Sequence, residues 1–272
     1  MALLEDSFQK RAPVSGRFGR RALLPLGFAV LVIVAWQVLC DRIRIPPILL
    51  PPPSAVWQVL QNNYAILLGQ AMPTASESVL SFAIASALGV ALAVSLTFSV
   101  WVREALYPNI VMFQLIPKIA LAPLFIVWLG VGEKTSTVVA VFIAFFPVVV
   151  SSATGLVSAK PEMLQLCRSL AASEWQMFRM VRFPYAMPFI FAGMKVGVTM
   201  AMIGVVVGEF ITAQQGLGYI IMFASGAGET ATVLAAIALL CAIGLALYGI
   251  VELAERAVRH WYGGQMPVGG VI

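Results

Sequence analysis

The segment that decides the fold is a polar interruption between two long apolar runs. It covers residues 160–188 and reads KPEMLQLCRSLAASEWQMFRMVRFPYAMP. The apolar run before it covers residues 135–157, and the run after it covers residues 188–211. Each run is long enough to cross a bilayer, because about 20 helical residues span the hydrocarbon core. We therefore predict a loop between two membrane-spanning helices.

The composition extends this prediction to the whole chain. Of the 272 residues, 61% are hydrophobic and 11% are charged, whereas an ordinary globular domain has roughly 25% charged residues. Four further apolar runs cover residues 22–40, 78–100, 107–129 and 231–251. Pro117, Lys118 and Pro123 interrupt the run 107–129, which is predicted to be a kinked or broken span. The predicted fold class is an all-α integral membrane protein with six transmembrane helices.

The basic residues predict the orientation. Six spans place both termini and the loop 158–187 on one side, which then carries twelve Lys and Arg residues against three on the other side. The twelve are Lys10, Arg11, Arg17, Arg20, Arg21, Arg103, Lys160, Arg168, Arg179, Arg182, Arg256 and Arg259. Because cytoplasmic segments carry the excess of Lys and Arg, we expect a cytoplasmic segment 1–21, a membrane domain 22–253 and a cytoplasmic tail 254–272. The net charge of +5 then reflects orientation, so lipid is an expected partner and nucleic acid is not.

The connecting segments predict two helix starts and one plain connection. After the prolines of residues 46–53, Ser54 is expected to N-cap a short helix at the membrane interface. Thr74 and Glu77 have the T-x-x-E spacing of a capping box, which predicts the start of the second span at residue 78. Residues 214–230 are expected to form a glycine-containing connection.

Small residues recur at helical spacing in three of the spans. In an alanine-rich chain a single trio can arise by chance, but such rows also let helix backbones approach closely in lipid. The rows predicted to pack are Ala85, Gly89 and Ala93; Gly193, Gly197, Ala201, Gly204 and Gly208; and Ala238, Ala242 and Ala246.

The loop itself predicts a helix, a turn and a second helix. Pro161 and Glu162 favour a helix start, and the S-x-x-Q spacing of Ser173 and Gln176 predicts a capping box that opens the second helix. Pro184 is expected to end that helix. Its large apolar residues either pack against the protein's own spans or the membrane interface, or they fit a groove in a partner protein.

The loop resembles the coupling segment of bacterial ATP-binding-cassette importer permeases of the binding-protein-dependent type. The pattern of that family is E-A-A, three residues, G, nine residues and I-x-L-P. Alignment on Pro184 places Val181 and Phe183 at the apolar positions, Gln165 at the acid and Ala171 at the glycine. The spacing and the end match, whereas the first half departs, so the family's turn geometry and an acid-dependent contact stay open at these positions. Residues 50–54, 116–124, 128–130, 209–210 and 216–219 resemble the subfamily that imports nitrate, taurine and alkyl sulfonates; similar permeases serve pyrimidine-type vitamin precursors.

The resemblance implies a type I importer permease in the bacterial cytoplasmic membrane. It implies as partners two copies of a cytoplasmic ATP-binding subunit, an extracytoplasmic substrate-binding protein and a second permease copy. ATP and Mg²⁺ would act on the ATPase subunit, so no cofactor and no enzymatic activity are expected in this chain. The residues expected to couple to the ATPase are Gln165, Ala171, Ser173, Trp175, Gln176, Phe178, Arg179, Arg182 and Pro184. Among them Trp175, Phe178 and Arg179 are expected to make the direct contact.

Two charged residues are candidates for the translocation path. Lys118 lies within the third span, where an ionisable residue is by default a functional hypothesis. Three roles are open for Lys118: it attracts an anionic substrate, it faces water where the helix breaks, or it pairs with another residue within the bundle. Glu209 lies near the outer end of the fifth span, where hydration competes with a role in the path.

Two other classes of protein are weighed against this one. A secondary transporter or channel often shows matched repeats with paired broken helices, and this chain has one broken segment. An intramembrane metalloenzyme needs clustered ligands, whereas His260 is the one histidine and the three cysteines are isolated. Neither alternative explains the loop.

Overall fold

A computed structural model describes residues 17–212 and 214–261, and every regular element in this part of the chain is helical. The helices are α1 (Arg17–Ile43), α2 (Pro53–Asn62), α3 (Tyr64–Phe98), α4 (Val100–Leu115), α5 (Ala122–Leu129), α6 (Glu133–Val157), α7 (Pro161–Ser169), α8 (Glu174–Met177), α9 (Phe183–Thr212), α10 (Leu217–Gly226) and α11 (Thr230–Trp261). A 3-10 turn (Lys118–Leu121) precedes α5, and a π-helical turn (Phe178–Arg182) joins α8 to α9. Most of the predicted N-terminal segment and the end of the predicted tail lie outside the described residues.

The core of the bundle consists of α3, α6 and α9. Helices α6 and α9 are antiparallel and pack closely because α9 presents glycines to α6. A Cβ atom on Gly193 would lie 2.8 Å from Ser151, and one on Gly208 would lie 2.6 Å from Ser136. In α3, a Cβ on Gly89 would lie 2.9 Å from Val148 of α6. The predicted packing rows in the second and fifth spans are therefore confirmed.

The row predicted for the sixth span is wrong. Ala238, Ala242 and Ala246 are exposed, whereas Ala235 and Ala236 are buried. Small residues at regular spacing line two faces of an alanine-rich helix, and spacing alone does not indicate which face meets the bundle.

Six crossings follow from the packing. Five helices are long and apolar enough to span a membrane, and α4 and α5 form a pair bent by 89°. Both α3 and α6 start near Glu209 of α9, since Thr74 bonds to that residue and Ser136 lies against Gly208. Both end near Phe178, which packs with Phe98 and Leu156. Because α3 and α6 run in the same direction, the α4–α5 pair must cross the bundle between them.

The two ends of the bundle are named here by the short helices they carry. The α8 end holds α7, α8 and the ends of α3 and α6, and the α10 end holds α10 and the starts of α3 and α6. Helix α2 lies against α11 and receives a side-chain contact from α1, where the Ser54 N–H donates to Gln37 Oε1 at 3.1 Å. The short helix is therefore confirmed, but Ser54 lies inside it and does not cap it.

Three predicted boundaries differ from the structure. Helix α3 begins at Tyr64, so Thr74 and Glu77 lie inside it and form no capping box; their side chains are buried and turned toward α6 and α9. The connection 214–230 contains the helix α10, whose N-terminal groups are satisfied by distant side chains. Helix α11 continues past residue 251 to Trp261, because Glu252, Glu255, Arg256 and Arg259 form ion pairs along its last turns.

Candidate functional site

The turn between α7 and α8 is held by left-handed backbone at Ala171, with φ of +55°. The Ala171 N–H donates to Arg168 O and the Ala172 N–H donates to Cys167 O, each at 3.0 Å. Together these bonds close the end of α7 in the manner usually provided by glycine. The effect of alanine at this position was left open by the sequence, and the structure shows that alanine adopts a left-handed turn here, at a cost of about 1–2 kcal/mol.

Helix α8 opens on the predicted capping box. The Gln176 N–H donates to Ser173 Oγ at 3.3 Å, and the Ser173 N–H donates to Gln176 Oε1 at 2.7 Å. These reciprocal bonds satisfy two of the free donors at a helix start. The prediction from the S-x-x-Q spacing is confirmed.

Pro184 does not end the second helix of the loop. The helix passes through a π turn, in which the Phe183 N–H donates to Phe178 O, and continues as α9. A proline lacks an N–H and crowds the carbonyl one turn before it, and the wider π turn immediately upstream accommodates that carbonyl. As a result, the loop helix and the fifth span form one continuous helix from Glu174 to Thr212.

One face of this helix is anchored inside the protein. Phe178 is 7% exposed, and its ring lies 5.0 Å from Phe98 of α3 and 5.7 Å from Phe183. Met177 and Val181 are also buried. Phe178 therefore cannot contact a partner directly, which corrects the contact role expected for it. It fixes the start of the continuous helix against α3.

Beside this anchored face, α7, the turn after it and the start of the continuous helix leave an open apolar surface. Trp175 borders both, because its ring stacks on Phe178 at 5.5 Å and on Phe98 at 6.2 Å while much of the side chain stays open. Leu170 is 74% exposed, Trp175 61% and Met180 72%, and Leu166 and Arg179 are also exposed. We call these five residues the loop surface. Gln165 is exposed beside it, and the Arg182 guanidinium lies 4.0 Å from the Glu174 carboxylate. Exposed apolar side chains on a well-capped helix are typical of an interaction site. Packing against the protein's own spans is thus confirmed for the anchored residues, and a fit of the loop surface into a partner's groove stays a prediction.

The broken span carries Lys118 at its bend. Ile116 is extended before Pro117, which ends α4, and the 3-10 turn that begins at Lys118 leads into α5. The partly buried Lys118 Nζ donates to Gln114 O at 3.0 Å and lies 5.2 Å from the centre of the Phe146 ring. No carboxylate in the described part of the chain pairs with it. Lys118 therefore offers a positive charge at a break in a membrane-spanning segment.

Near the α8 end, the broken span leaves a cavity of about 430 Å³ between α4 and the α3–α6 pair. Ala93, Leu96 and Ala153 contribute to its apolar lining, while Arg103 and Glu104 add charges to it. The cavity shows that α4 packs loosely on the core.

Glu209 lies at the other end of the continuous helix and is 2% exposed. Its Oε1 accepts a hydrogen bond from the Thr74 hydroxyl at 2.6 Å, and its Oε2 accepts one from the Gly218 N–H at 2.6 Å. The expected hydration of this residue is therefore wrong. Sequence reasoning missed this network because it assigned Thr74 to a capping box; Gly216 and Gly218, which follow Glu209 closely, were the available signal.

Lys195 of α9 forms ion pairs with Glu252 and Glu255 of α11. Arg256 and Arg259 bond to the same two carboxylates from one helical turn away. The cluster ties α11 to the continuous helix.

The comparisons with known proteins agree on one family. Residues 85–260 match the family described as "Binding-protein-dependent transport system inner membrane component". The riboflavin transport system permease protein RibX of Chloroflexus aurantiacus is 33% identical, over 85% of this chain and 87% of that protein. The taurine transport system permease protein TauC of Escherichia coli is 29% identical, over 90% of this chain and 91% of that protein. Among solved structures, an inward-facing MetNI methionine ABC transporter matches with a TM-score of 0.62 at 19% identity, covering 71% of this chain and 96% of that one.

Proposed function

Because the chain belongs to the family of inner membrane components of binding-protein-dependent transport systems, we propose that its loop surface docks the ATPase subunit and that the continuous helix carries the movement of that subunit into the bundle. The chain is a multi-pass permease subunit of an ATP-binding-cassette importer, and ATP is hydrolysed by a separate subunit. The family assignment decides against the alternative function, that of a secondary transporter or channel subunit.

The loop surface, which extends from the end of α7 to the π turn, carries the docking proposal. Trp175, Met180 and Leu170 present large apolar groups outside the spans, and Arg179 adds a positive charge. Burying these side chains in an interface would stabilise the complex by about 25 cal/mol for each Å² of apolar surface removed from water. Phe178 and Ser173 serve the same surface indirectly, since they fix and cap the helix that carries it.

The charge count supports an orientation for the complex. The excess of Lys and Arg on the side of the α8 end favours a cytoplasmic position for that end and for both termini. The α10 end then faces the extracytoplasmic binding protein that delivers the substrate.

A dimer of two copies of this chain, with two ATPase subunits, completes the proposed assembly. The α4–α5 segment leaves large apolar side chains open, among them Leu115, Val127 and Trp128. A second copy facing this segment would enclose a path between the two chains, and one chain with a full set of six spans needs no different partner.

Lys118 is the residue we place on the translocation path. Its ammonium has no carboxylate partner among the described residues, and its position at the bend gives a passing solute access to it. A positive charge suits an anionic or zwitterionic substrate such as a sulfonate, taurine or nitrate, and a pyrimidine-type vitamin precursor is the alternative. A thermal-shift screen of the cognate binding protein against these compounds distinguishes the classes.

The docking proposal is tested by removing the loop surface without touching the bundle. In the double variant Leu170→Ala, Met180→Ala, whose side chains are the most exposed of the loop surface, we expect normal accumulation of the permease and loss of the co-purified ATPase subunit. Leu253→Ala is a matched control, because Leu253 is equally exposed but lies on α11. Retention of the ATPase by the double variant at the control's level would overturn the proposal.

A further inference from the structure

The first three N–H groups at the start of α10 are held by side chains from two other helices. The Gly216 N–H donates to Gln70 Oε1 at 2.6 Å and the Leu217 N–H donates to Thr74 Oγ1 at 2.8 Å, both on α3. The Gly218 N–H donates to Glu209 Oε2 of α9 at 2.6 Å. We call Gln70, Thr74 and Glu209 the α10 clamp.

The clamp is closely fitted. Gly216 has φ of +103°, and a Cβ atom on it would overlap the Glu209 carboxylate; one on Gly218 would lie 2.7 Å from Glu209 Oε2. The Thr74 hydroxyl accepts from Leu217 and donates to Glu209, so a single chain of bonds joins α10, α3 and α9. Any shift of α9 along α3 therefore displaces Glu209 from Thr74 and, through the hydrogen bonds of both residues, acts on the N-terminus of α10.

Helix α10 is a separate element that such a shift can move. Its ten residues extend about 15 Å, half of a bilayer core. Only Leu217, Gly218 and Ala224 within it are buried, and Met222 and Phe223 are exposed. Beyond its N-terminus, it is attached by apolar packing against α11.

Glu209 belongs to the same helix as the loop surface. From Glu174 to Ile211 the chain is one helix of 38 residues, roughly 57 Å long. We propose that Glu209 is a positioning residue that transmits movement of this helix to α10, so that the ATPase at the α8 end sets the position of α10 at the opposite end. This inference rests on the docking function proposed above.

The test measures the position of α10 in the full complex of permease and ATPase subunits. Spin labels are placed at Ser225→Cys on α10 and Gly69→Cys on α3, both exposed, in a background where Cys40, Cys167 and Cys241 are alanine. The distance between labels is compared in the nucleotide-free complex and in the complex trapped with ATP and vanadate. We expect a nucleotide-dependent change that falls to less than half in Glu209→Gln, because an amide cannot accept both of its hydrogen bonds.

Matched variants separate positioning from simple stability. Thr74→Val removes the linking hydroxyl and should reduce the change as well, while Thr74→Ser retains it and should preserve the change. Ser78→Ala removes a buried hydroxyl that bonds only within α3 and should also preserve it. A purely structural role would lower the yield of Glu209→Gln and Thr74→Val but leave the full change in the complexes that assemble. If Glu209→Gln does not assemble, the Thr74 pair decides.

A full change in Glu209→Gln or Thr74→Val, or no change in the parent complex, would overturn the inference. Failure of the docking function is a different result, since it appears as retention of the ATPase by the Leu170→Ala, Met180→Ala variant and does not involve the labels.

Discussion

Two proline-containing segments of the bundle differ in whether the helix continues through the proline. At Pro117 the helix stops, the chain bends by 89°, and Lys118 is left at the break. At Pro184, which has no backbone N–H to donate, a π turn accommodates the change in hydrogen bonding and the helix continues into the fifth span. The difference lies in the neighbouring contacts, because Phe178 and Val181 anchor the second segment against the core, whereas α4 packs loosely beside a cavity. At these two positions, proline ends the helix beside the cavity and is accommodated where the core anchors the chain.

The largest expected effect comes from removing the anchor of the continuous segment. Phe178→Asp places a carboxylate in an apolar cluster, which costs more than about 3 kcal/mol. We expect the variant to fail to accumulate in the membrane, as measured by quantitative immunoblotting. Met180→Asp, two residues later on the open side of the helix, should accumulate normally but lose the ATPase subunit. Equal accumulation of both variants would contradict the assignment of the two faces.

A smaller effect is expected at the broken segment. Lys118→Met removes the charge but keeps a long apolar side chain, so folding should persist while transport of an anionic substrate falls by about tenfold. Uptake into proteoliposomes measures this, and Lys118→Arg is the control that keeps the charge. Wild-type uptake by Lys118→Met would remove Lys118 from the path.

The two prolines can be compared directly. Pro184→Ala restores a backbone donor in a helix that is already continuous, so the change in stability should stay within about 1 kcal/mol. Pro117→Ala removes the residue that ends α4, so the bend should lessen and transport should fall. Transport assays and thermal unfolding of the two purified variants check the pair, and a larger loss of transport at Pro184 would reverse the comparison.

The smallest expected effect is a gain in stability. Ala171→Gly places glycine where φ is +55°, which should stabilise the turn by about 1 kcal/mol. Hydrogen exchange of the amides from residue 168 to residue 177 should slow in this variant. Faster exchange would show that the left-handed turn is not the native one.

The sequence predicted what depends on composition and local spacing. The apolar runs gave the six crossings, Ser173 and Gln176 gave the capping box, and Lys118 between two prolines gave the broken span. Their signals lie within a few residues of the structure they form.

Features that depend on distant contacts were missed. Pro184 gave no sign that Phe98, far away in the chain, would anchor its helix. Thr74 was assigned to a local cap because its real partners, Glu209 and Leu217, lie more than 130 residues away. Ala238, Ala242 and Ala246 show the same limit of local sequence patterns, since their regular spacing did not indicate which face of the helix would be buried.

The central claim is that the loop helix and the fifth span move as one rigid body. It is tested most directly by spin labels at Glu174→Cys and Phe210→Cys, near the two ends of the continuous helix, in the complete transporter. We predict a single narrow distance of about 54 Å that changes by less than about 2 Å between the nucleotide-free and vanadate-trapped states. A broad distribution, or a change of more than about 5 Å, would show that the helix bends at the π turn and would contradict the account.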